Sequence, residues 1–171
     1  MISQEMVCSI LACYALPWEG THGIPHWARV LENGRRLSAI TGAKVQIVEL
    51  FALFHDSQRI NEGFDDGHGR RGAKLARELS GVQYDISNED FRLLIEACEL
   101  HTDGLLGGDV TLQTCWDADR LDLGRVGITP LAEKLCTEGA KRPDLFKWAA
   151  RRGEEQFIPN LISSEWGIRL P

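Results

Sequence analysis

The sequence predicts an all-helical, single-domain protein, and three observations support this. Apolar residues recur along most of the chain at the three- and four-residue spacing of one helix face. No two segments of alternating polarity are joined by a short turn, so no β-hairpin is expected. The 171 residues match the size of one domain, and residues 1–171 contain no internal repeat or linker.

Prolines, glycines and one apolar run mark the limits of the first four predicted helices. Pro17 stops the first helix, because a proline cannot continue a helix. Pro25 suits the first turn of the second helix, and Gly42 ends it. The third helix carries an almost unbroken apolar run up to Phe54, and the fourth stops at Gly81. These helices are expected over residues 2–16, 25–40, 44–59 and 69–79.

The second half of the chain predicts four more helices and a C-terminal arm. Ser87 followed by Asp90 is typical of a helix start, where the serine hydroxyl accepts a hydrogen bond from a backbone N–H. An aspartate-rich helix follows, and prolines open the last two helices. Weaker periodicity indicates an irregular arm over residues 157–171. The four helices are expected over residues 87–101, 111–123, 130–140 and 143–156.

The formal net charge of −6 bears on the class of partner. A dedicated DNA or RNA binder needs a basic face for the phosphate backbone, so we expect no such binding. A small phosphorylated substrate is compatible with this charge, since a local basic pocket can lie in an acidic protein. Carboxylates that hold cations would themselves contribute to the negative total.

The sequence favours a cytoplasmic protein. Its first residues show no signal-peptide pattern, and no run of about 18 apolar residues predicts a membrane span. The number of cysteines is odd and none forms a C-x-x-C pair, so we expect reduced, buried thiols rather than a disulfide frame or a structural zinc site. The cysteines are Cys8, Cys13, Cys98, Cys115 and Cys136.

The doublet His55-Asp56 directly follows the apolar run that ends at Phe54. A charged carboxylate beside a core helix is costly unless it is paired or bound to a metal. Taken alone, the doublet could equally be a His–Asp pair that caps the helix. The other histidines are His22, His26, His68 and His101.

Three aspartates, Asp117, Asp119 and Asp122, fall within six residues of a half-apolar segment and need positive charge nearby. Arg120 and Arg125 are expected to pair with them, and a metal ion could supply the rest. We also expect Asp122 to hold a histidine or an arginine in place. Mixed imidazole and carboxylate ligands suit divalent Mn, Fe, Co, Ni or Zn, and carboxylates also accept Mg. Such ligands would come from several helices.

The ordered set of histidines and aspartates resembles the HD-domain superfamily of metal-dependent phosphohydrolases. The matching residues span 26 to 119 and are His26, the doublet His55-Asp56, His68, His101 and Asp119. The resemblance implies an all-helical fold in which His26, His55, Asp56 and Asp119 hold a first divalent metal. In members with two metals, Asp56 would bridge them, and His68 and His101 would complete the second site. In other members these two histidines contact the substrate phosphate, and both uses stay open.

The expected function is therefore hydrolysis of a nucleotide or another small phosphate ester by metal-activated water. The residues expected to take part in the chemistry are Asp56, His68, His101 and Arg59. Arg59 lies one helical turn past Asp56, and its guanidinium matches the geometry of a phosphate. His22 is expected to be a structural or exposed loop residue near the mouth of the site.

Two other functions stay open on the sequence alone. A sensing or interaction module could keep the fold and lose the catalysis, although the complete ligand set argues for activity. Related helical folds with additional histidines use two irons and oxygen to cleave carbon bonds, and His68 and His101 leave room for that chemistry. The loops expected to select the substrate cover residues 18–24, 61–67 and 104–109.

Overall fold

A computed structural model describes residues 2–170, and within this range it contains helices and no strand. The predicted all-helical class is therefore confirmed. Two short 3₁₀ helices, Leu123–Val126 and Ala132–Lys134, join the later elements. The α-helices are α1 (Gln4–Leu11), α2 (Ile24–Thr41), α3 (Val45–Phe54), α4 (His68–Leu79), α5 (Asn88–Leu100), α6 (Val110–Arg120), α7 (Glu138–Lys141), α8 (Pro143–Glu154) and α9 (Leu161–Ser164).

Helix α3 lies at the centre of the bundle, which explains why it is apolar almost all round. Helices α2, α4, α5 and α6 pack against it, and α1 also contacts it. Trp27 of α2, Phe51 of α3 and Trp116 of α6 are essentially inaccessible to solvent within one shared core. Burial of each such aromatic side chain stabilises the fold by about 1.5–3 kcal/mol.

Two glycines allow α4 to approach its neighbours closely. A Cβ atom on Gly72 would collide with the backbone oxygen of Phe54 at the end of α3. A Cβ atom on Gly69 would collide with the backbone oxygen of Cys98 on α5. The start of α4 therefore lies directly beside the C-terminal ends of α3 and α5, which brings His68 next to them.

Most predicted helices are present, but one prediction is wrong. Residues 130–140 form no continuous helix: the 3₁₀ turn Ala132–Lys134 and the single-turn α7 replace it. The reason is the buried carboxylate of Asp117, which accepts hydrogen bonds from the backbone N–H groups of Cys136 and Thr137 at 2.7 and 2.8 Å. These contacts hold the chain extended ahead of α7, which Thr137 then caps.

Several helix ends also differ from the prediction. Helix α1 ends at Leu11 rather than near residue 16, and α3 ends at Phe54, so that His55 and Asp56 lie in the following turn. Helix α6 ends at Arg120 and a 3₁₀ helix continues the chain. Ser87 caps α5 as predicted, with its hydroxyl accepting from the Asp90 N–H at 3.1 Å.

The predicted C-terminal arm is mostly irregular, and it is anchored. It contains the single-turn α9, and the Trp166 side chain is buried in the core. Arg35 donates two hydrogen bonds of 2.9 Å to the Glu165 carboxylate, which ties the arm to α2. All five cysteines are free thiols, but the predicted burial is wrong for three of them: Cys98 and Cys115 are buried, Cys136 is half-buried, and Cys8 and Cys13 are exposed. Across residues 2–170 no helix is both long and apolar enough to cross a bilayer.

Candidate metal centre

Six side chains that the sequence singled out converge around the C-terminal end of α3. Each lies at or near a helix end, so that five segments contribute to one site. They are His26 in the first turn of α2, His55 and Asp56 just after α3, His68 at the start of α4, His101 just after α5, and Asp119 in the last turn of α6.

The first ligand group consists of His26, His55, Asp56 and Asp119. His26 Nε2 lies 3.0 Å from His55 Nε2, 3.4 Å from Asp56 Oδ2 and 3.4 Å from Asp119 Oδ1. His55 Nε2 lies 3.8 Å from each of the same two carboxylate oxygens. Two atoms bound to one ion at about 2.1 Å are about 3.0–3.4 Å apart at right or tetrahedral angles. The three separations from His26 therefore suit ligands of a single metal ion, and the two from His55 are about 0.4 Å longer than this range.

The second ligand group consists of Asp56, His68 and His101. Asp56 Oδ1 lies 3.1 Å from His68 Nε2 and 3.8 Å from His101 Nε2. The two imidazole Nε2 atoms are 2.9 Å apart. Asp56 thus faces the first group with Oδ2 and the second with Oδ1, which is the arrangement that a bridging carboxylate needs.

Hydrogen bonds at Nδ1 determine which nitrogen of each ring faces the site. In all four rings Nδ1 lies within 3.2 Å of an oxygen that can only accept, so Nδ1 carries the proton and a neutral ring presents the Nε2 lone pair. Lone pairs that face each other at 3.0 and 2.9 Å repel unless a cation or a proton lies between them. The accepting oxygens are Asp122 Oδ2, Phe51 O, Asp65 O and Cys98 O.

Asp119 Oδ1 provides an independent indication that a cation belongs in the first group. This oxygen is buried and has no hydrogen-bond partner among the described residues. An unpaired buried carboxylate oxygen is costly, and coordination to a metal ion would satisfy it. The residues present therefore fit a divalent metal ion.

Asp122 supports the first ligand group by holding the His26 ring at Nδ1, while Nε2 faces the other ligands. It is fully buried, and its carboxylate accepts from His26 Nδ1 at 2.7 Å and from Arg29 Nε and Nη2 at 2.7 and 3.0 Å. Burial would raise the pKa of Asp122, but the hydrogen bonds and charges of His26 and Arg29 hold that pKa below its usual range. Asp122 therefore orients a predicted ligand and neutralises a buried arginine at once.

The electrostatics leave His55, Asp56 and Asp119 in the protonation states that a metal requires. Burial lowers the pKa of His55 to about 3, so this imidazole is neutral at pH 7. Burial would raise the pKa of Asp56, yet the surrounding histidines keep that pKa well below its usual range. The pKa of Asp119 is also lowered, because Arg125 and the histidines outweigh its burial. Neutral imidazole and ionised carboxylate are the metal-binding forms.

A cleft of about 300 Å³ opens onto the two ligand groups. Arg59 lies in it as the sequence predicted, with Nη1 3.5 Å from Asp56 Oδ1 and 3.2 Å from His68 Nε2. Two backbone oxygens hold the guanidinium: Asn61 O accepts from Nε at 3.4 Å and Gly63 O accepts from Nη2 at 2.6 Å. The cleft is lined chiefly by Asp56, Arg59, His68, His101, Asp119 and Arg125.

The structure corrects one prediction about the arginines. Arg120 does not pair with an aspartate; it donates to the backbone oxygens of Lys134 and Leu105. It lies at the end of α6 on the side that faces these loops. Arg125 does approach a predicted ligand, with Nη2 3.7 Å from Asp119 Oδ1.

His22 forms a pair with Glu62 that the sequence does not predict. Its ring is almost buried rather than exposed, and Nδ1 lies 2.7 Å from Glu62 Oε2. The ring packs edge-on against His26, with the ring centres 6.2 Å apart. Glu62 lies forty residues along the chain in a glycine-containing loop, and no local pattern links it to His22.

Comparison with protein-family models, with curated proteins and with solved structures found no match for this chain. Four imidazoles form two ligand groups that share Asp56, and Asp119 lies beside the first group. A cleft lined by three arginines, Arg59, Arg120 and Arg125, opens onto them. Such a site can hold divalent metal and bring an anion beside it.

Proposed function

We propose that this protein is a metal-dependent phosphohydrolase of the HD-domain type that cleaves a small phosphate ester with metal-activated water. Nucleotides are among the candidate substrates. The observation that carries the proposal is the convergence of four imidazole Nε2 atoms and the Asp119 carboxylate around Asp56. No arrangement of neutral side chains alone satisfies these atoms.

The first ligand group is the better-supported metal site. His26, His55 and Asp56 lie close enough together to hold one ion, and Asp119 beside them has a buried oxygen that accepts no hydrogen bond within the described residues. First-row divalent ions and Mg²⁺ both fit this mixture, so Mn, Mg, Fe, Co, Ni and Zn are the candidates. When bound here, such an ion supplies a hydroxide near neutral pH and offsets the charge of a phosphate.

The side chains of the cleft would then bind and orient the substrate. Arg59 projects one nitrogen into the cleft while backbone oxygens hold the other two, so little entropy is lost when it meets a phosphate oxygen. The lowered pKa of Asp56 keeps this carboxylate ionised and able to take part in both ligand groups. Asp122 holds the His26 ring in the tautomer that presents Nε2.

His68 and His101 have two alternative roles, and metal content separates them. As ligands, their facing Nε2 atoms would share a second ion with Asp56 Oδ1. As phosphate contacts, one ring would carry a second proton, and the pKa of His101 is raised because the neighbouring aspartates outweigh its burial. Two ions bound per chain would support the first role, and one ion the second.

The test combines metal analysis with a panel of substrates. Purified protein loaded with Mn²⁺, Co²⁺, Ni²⁺, Zn²⁺ or Mg²⁺ is incubated with nucleotides, cyclic dinucleotides and simple aryl phosphates, and phosphate release or diester cleavage is measured. We expect hydrolysis that EDTA abolishes, and a loss of at least about 1,000-fold in Asp56→Asn. Asp103→Asn, an exposed carboxylate on the neighbouring loop, is the matched control and should leave the rate unchanged.

The same experiment separates hydrolysis from the alternative functions. Metal bound tightly without cleavage of any phosphate ester would reject the proposal and favour a sensing module. Iron-specific consumption of oxygen would favour the oxygen-dependent alternative instead.

A further inference from the structure

Arg125 is held so that one of its nitrogens points at the predicted metal ligands. Its Nε donates to Thr21 O at 3.2 Å and its Nη1 to Asp122 O at 3.2 Å. The third nitrogen, Nη2, lies 3.7 Å from Asp119 Oδ1 and 3.9 Å from Asp56 Oδ2. These distances exceed hydrogen-bond range, so the donors of Nη2 remain available within the described part of the chain.

Arg125 and Arg59 are arranged in the same way. In each, backbone oxygens hold two guanidinium nitrogens and the third faces Asp56, at 3.5 Å from Oδ1 for Arg59 and 3.9 Å from Oδ2 for Arg125. They differ in that the third nitrogen of Arg59 also lies 3.2 Å from His68 Nε2. The two side chains are only 8% and 7% exposed, and both line the cleft. Long cationic side chains are seldom so buried unless they are paired, and neither has a close bidentate carboxylate partner.

We infer that Arg59 and Arg125 form a two-arginine clamp for a dianionic phosphate group, so that the substrate is a phosphate monoester rather than a diester. This inference rests on the proposed function and names its substrate class. A monoester presents three terminal oxygens and about two negative charges near neutral pH. A diester presents two terminal oxygens and one charge, so a metal ion and two guanidiniums would have to share those oxygens and would exceed its charge.

The charges of the site agree with this substrate class. One divalent ion and the two guanidiniums of the clamp would carry four positive charges, and the carboxylates of Asp56 and Asp119, in the ionised form that binds a metal, carry two negative ones. The net charge of about plus two that remains matches the charge of a phosphate dianion. Asp122 does not enter this comparison, since Arg29 neutralises it.

Two measurements on Mn²⁺-loaded protein test the clamp. Calorimetry gives the affinity for inorganic phosphate, and steady-state kinetics give kcat/KM for p-nitrophenyl phosphate and for bis(p-nitrophenyl) phosphate. We expect the wild type to favour the monoester by at least about 100-fold. Arg125→Gln should weaken phosphate binding about 10-fold and lower kcat/KM for the monoester about 100-fold, as loss of one such donor does elsewhere.

The diester rate should change by less than about 3-fold in Arg125→Gln, because a diester lacks the oxygen that Arg125 would contact. Arg70→Gln, an exposed arginine on α4, is the matched control and should behave like the wild type. Metal content and melting temperature show whether each variant is folded. Arg125→Lys keeps the charge and loses the planar fork, so it should recover the phosphate affinity only in part.

Each outcome decides one of the two proposals. A wild type that prefers the diester, equal losses on both esters in folded Arg125→Gln, or unchanged phosphate binding in that variant would overturn the clamp. If the variant binds phosphate normally while the wild type hydrolyses esters, the hydrolase stands and the clamp is wrong. If neither ester is cleaved but phosphate binding depends on Arg125, the dianion site stands and hydrolysis fails.

Discussion

Replacement of Asp122 with asparagine should strongly destabilise the metal-free protein. The Asp122 carboxylate accepts three hydrogen bonds of 2.7, 2.7 and 3.0 Å from His26 and Arg29, and all three side chains are buried. Asparagine has nearly the same shape but carries no charge and only one acceptor oxygen. The Arg29 guanidinium would stay buried without its counter-ion, which costs about 3–5 kcal/mol of the free energy of unfolding.

The same substitution should weaken metal binding by about 10–100-fold, the usual effect of losing the carboxylate behind a histidine ligand. The cause is the His26 ring, whose Nδ1–H now donates to Asp122 Oδ2. An asparagine can turn its NH₂ group toward Nδ1, which favours the tautomer with the proton on Nε2. That tautomer has no lone pair to offer the ion.

Urea unfolding of EDTA-treated protein measures the first effect, and calorimetric titration with Mn²⁺ measures the second. Arg29→Met and the double variant complete a double-mutant cycle, in which the double variant should lose less stability than the sum of the single losses. Asp85→Asn, an exposed carboxylate, is the control. A loss below about 1 kcal/mol in Asp122→Asn with unchanged Mn²⁺ affinity would refute this account of Asp122.

Three further predictions concern the elements that carry the ligands. Gly72→Ala should lower the free energy of unfolding, measured with a chemical denaturant, by about 1–3 kcal/mol, because the new Cβ collides with Phe54 O. If His68 is a ligand, the variant should also bind fewer metal ions. Ala73→Gly is the comparison variant. Ser87→Ala should cost about 1 kcal/mol through loss of the α5 cap and leave metal content unchanged, so altered metal content would contradict it. Burial would raise the pKa of Asp65, but Arg71 and a backbone N–H lower it. The ionised Asp65 carboxylate should therefore stabilise the fold above about pH 4, and this stabilisation should be lost as the pH falls through the pKa of Asp65 in the folded state. The difference in free energy of unfolding between wild type and Asp65→Asn should accordingly shrink on acidification.

The sequence could predict features that depend on neighbouring residues. Helical periodicity, Pro25 at the start of α2 and the Ser87 cap are local, and the structure contains all three. The order of the six proposed ligands was likewise visible, since histidines and aspartates beside apolar runs are unusual in any fold. Their placement at helix ends followed from the predicted boundaries within a few residues. The phosphohydrolase function stays a proposal, because it depends on chemistry that neither periodicity nor packing tests.

Other features arise only when distant segments pack together. The helix predicted over residues 130–140 is absent because the Asp117 carboxylate holds the backbone N–H groups of Cys136 and Thr137, a contact between residues about 20 positions apart. Arg120 lies next to two aspartates in the sequence and binds neither. The His22–Glu62 pair joins two loops that no pattern connects.

The sequence by itself determined that the chain is helical and which side chains are candidates for a metal site. Tertiary structure alone decided that Asp56 turns one oxygen to each ligand group and that Arg59 and Arg125 face those two oxygens. The physical reason is the range of the forces involved. Helix formation is governed by residues within about one turn, whereas the direction of a side chain into a shared site depends on how closely helices pack, here on the contact that Gly72 permits.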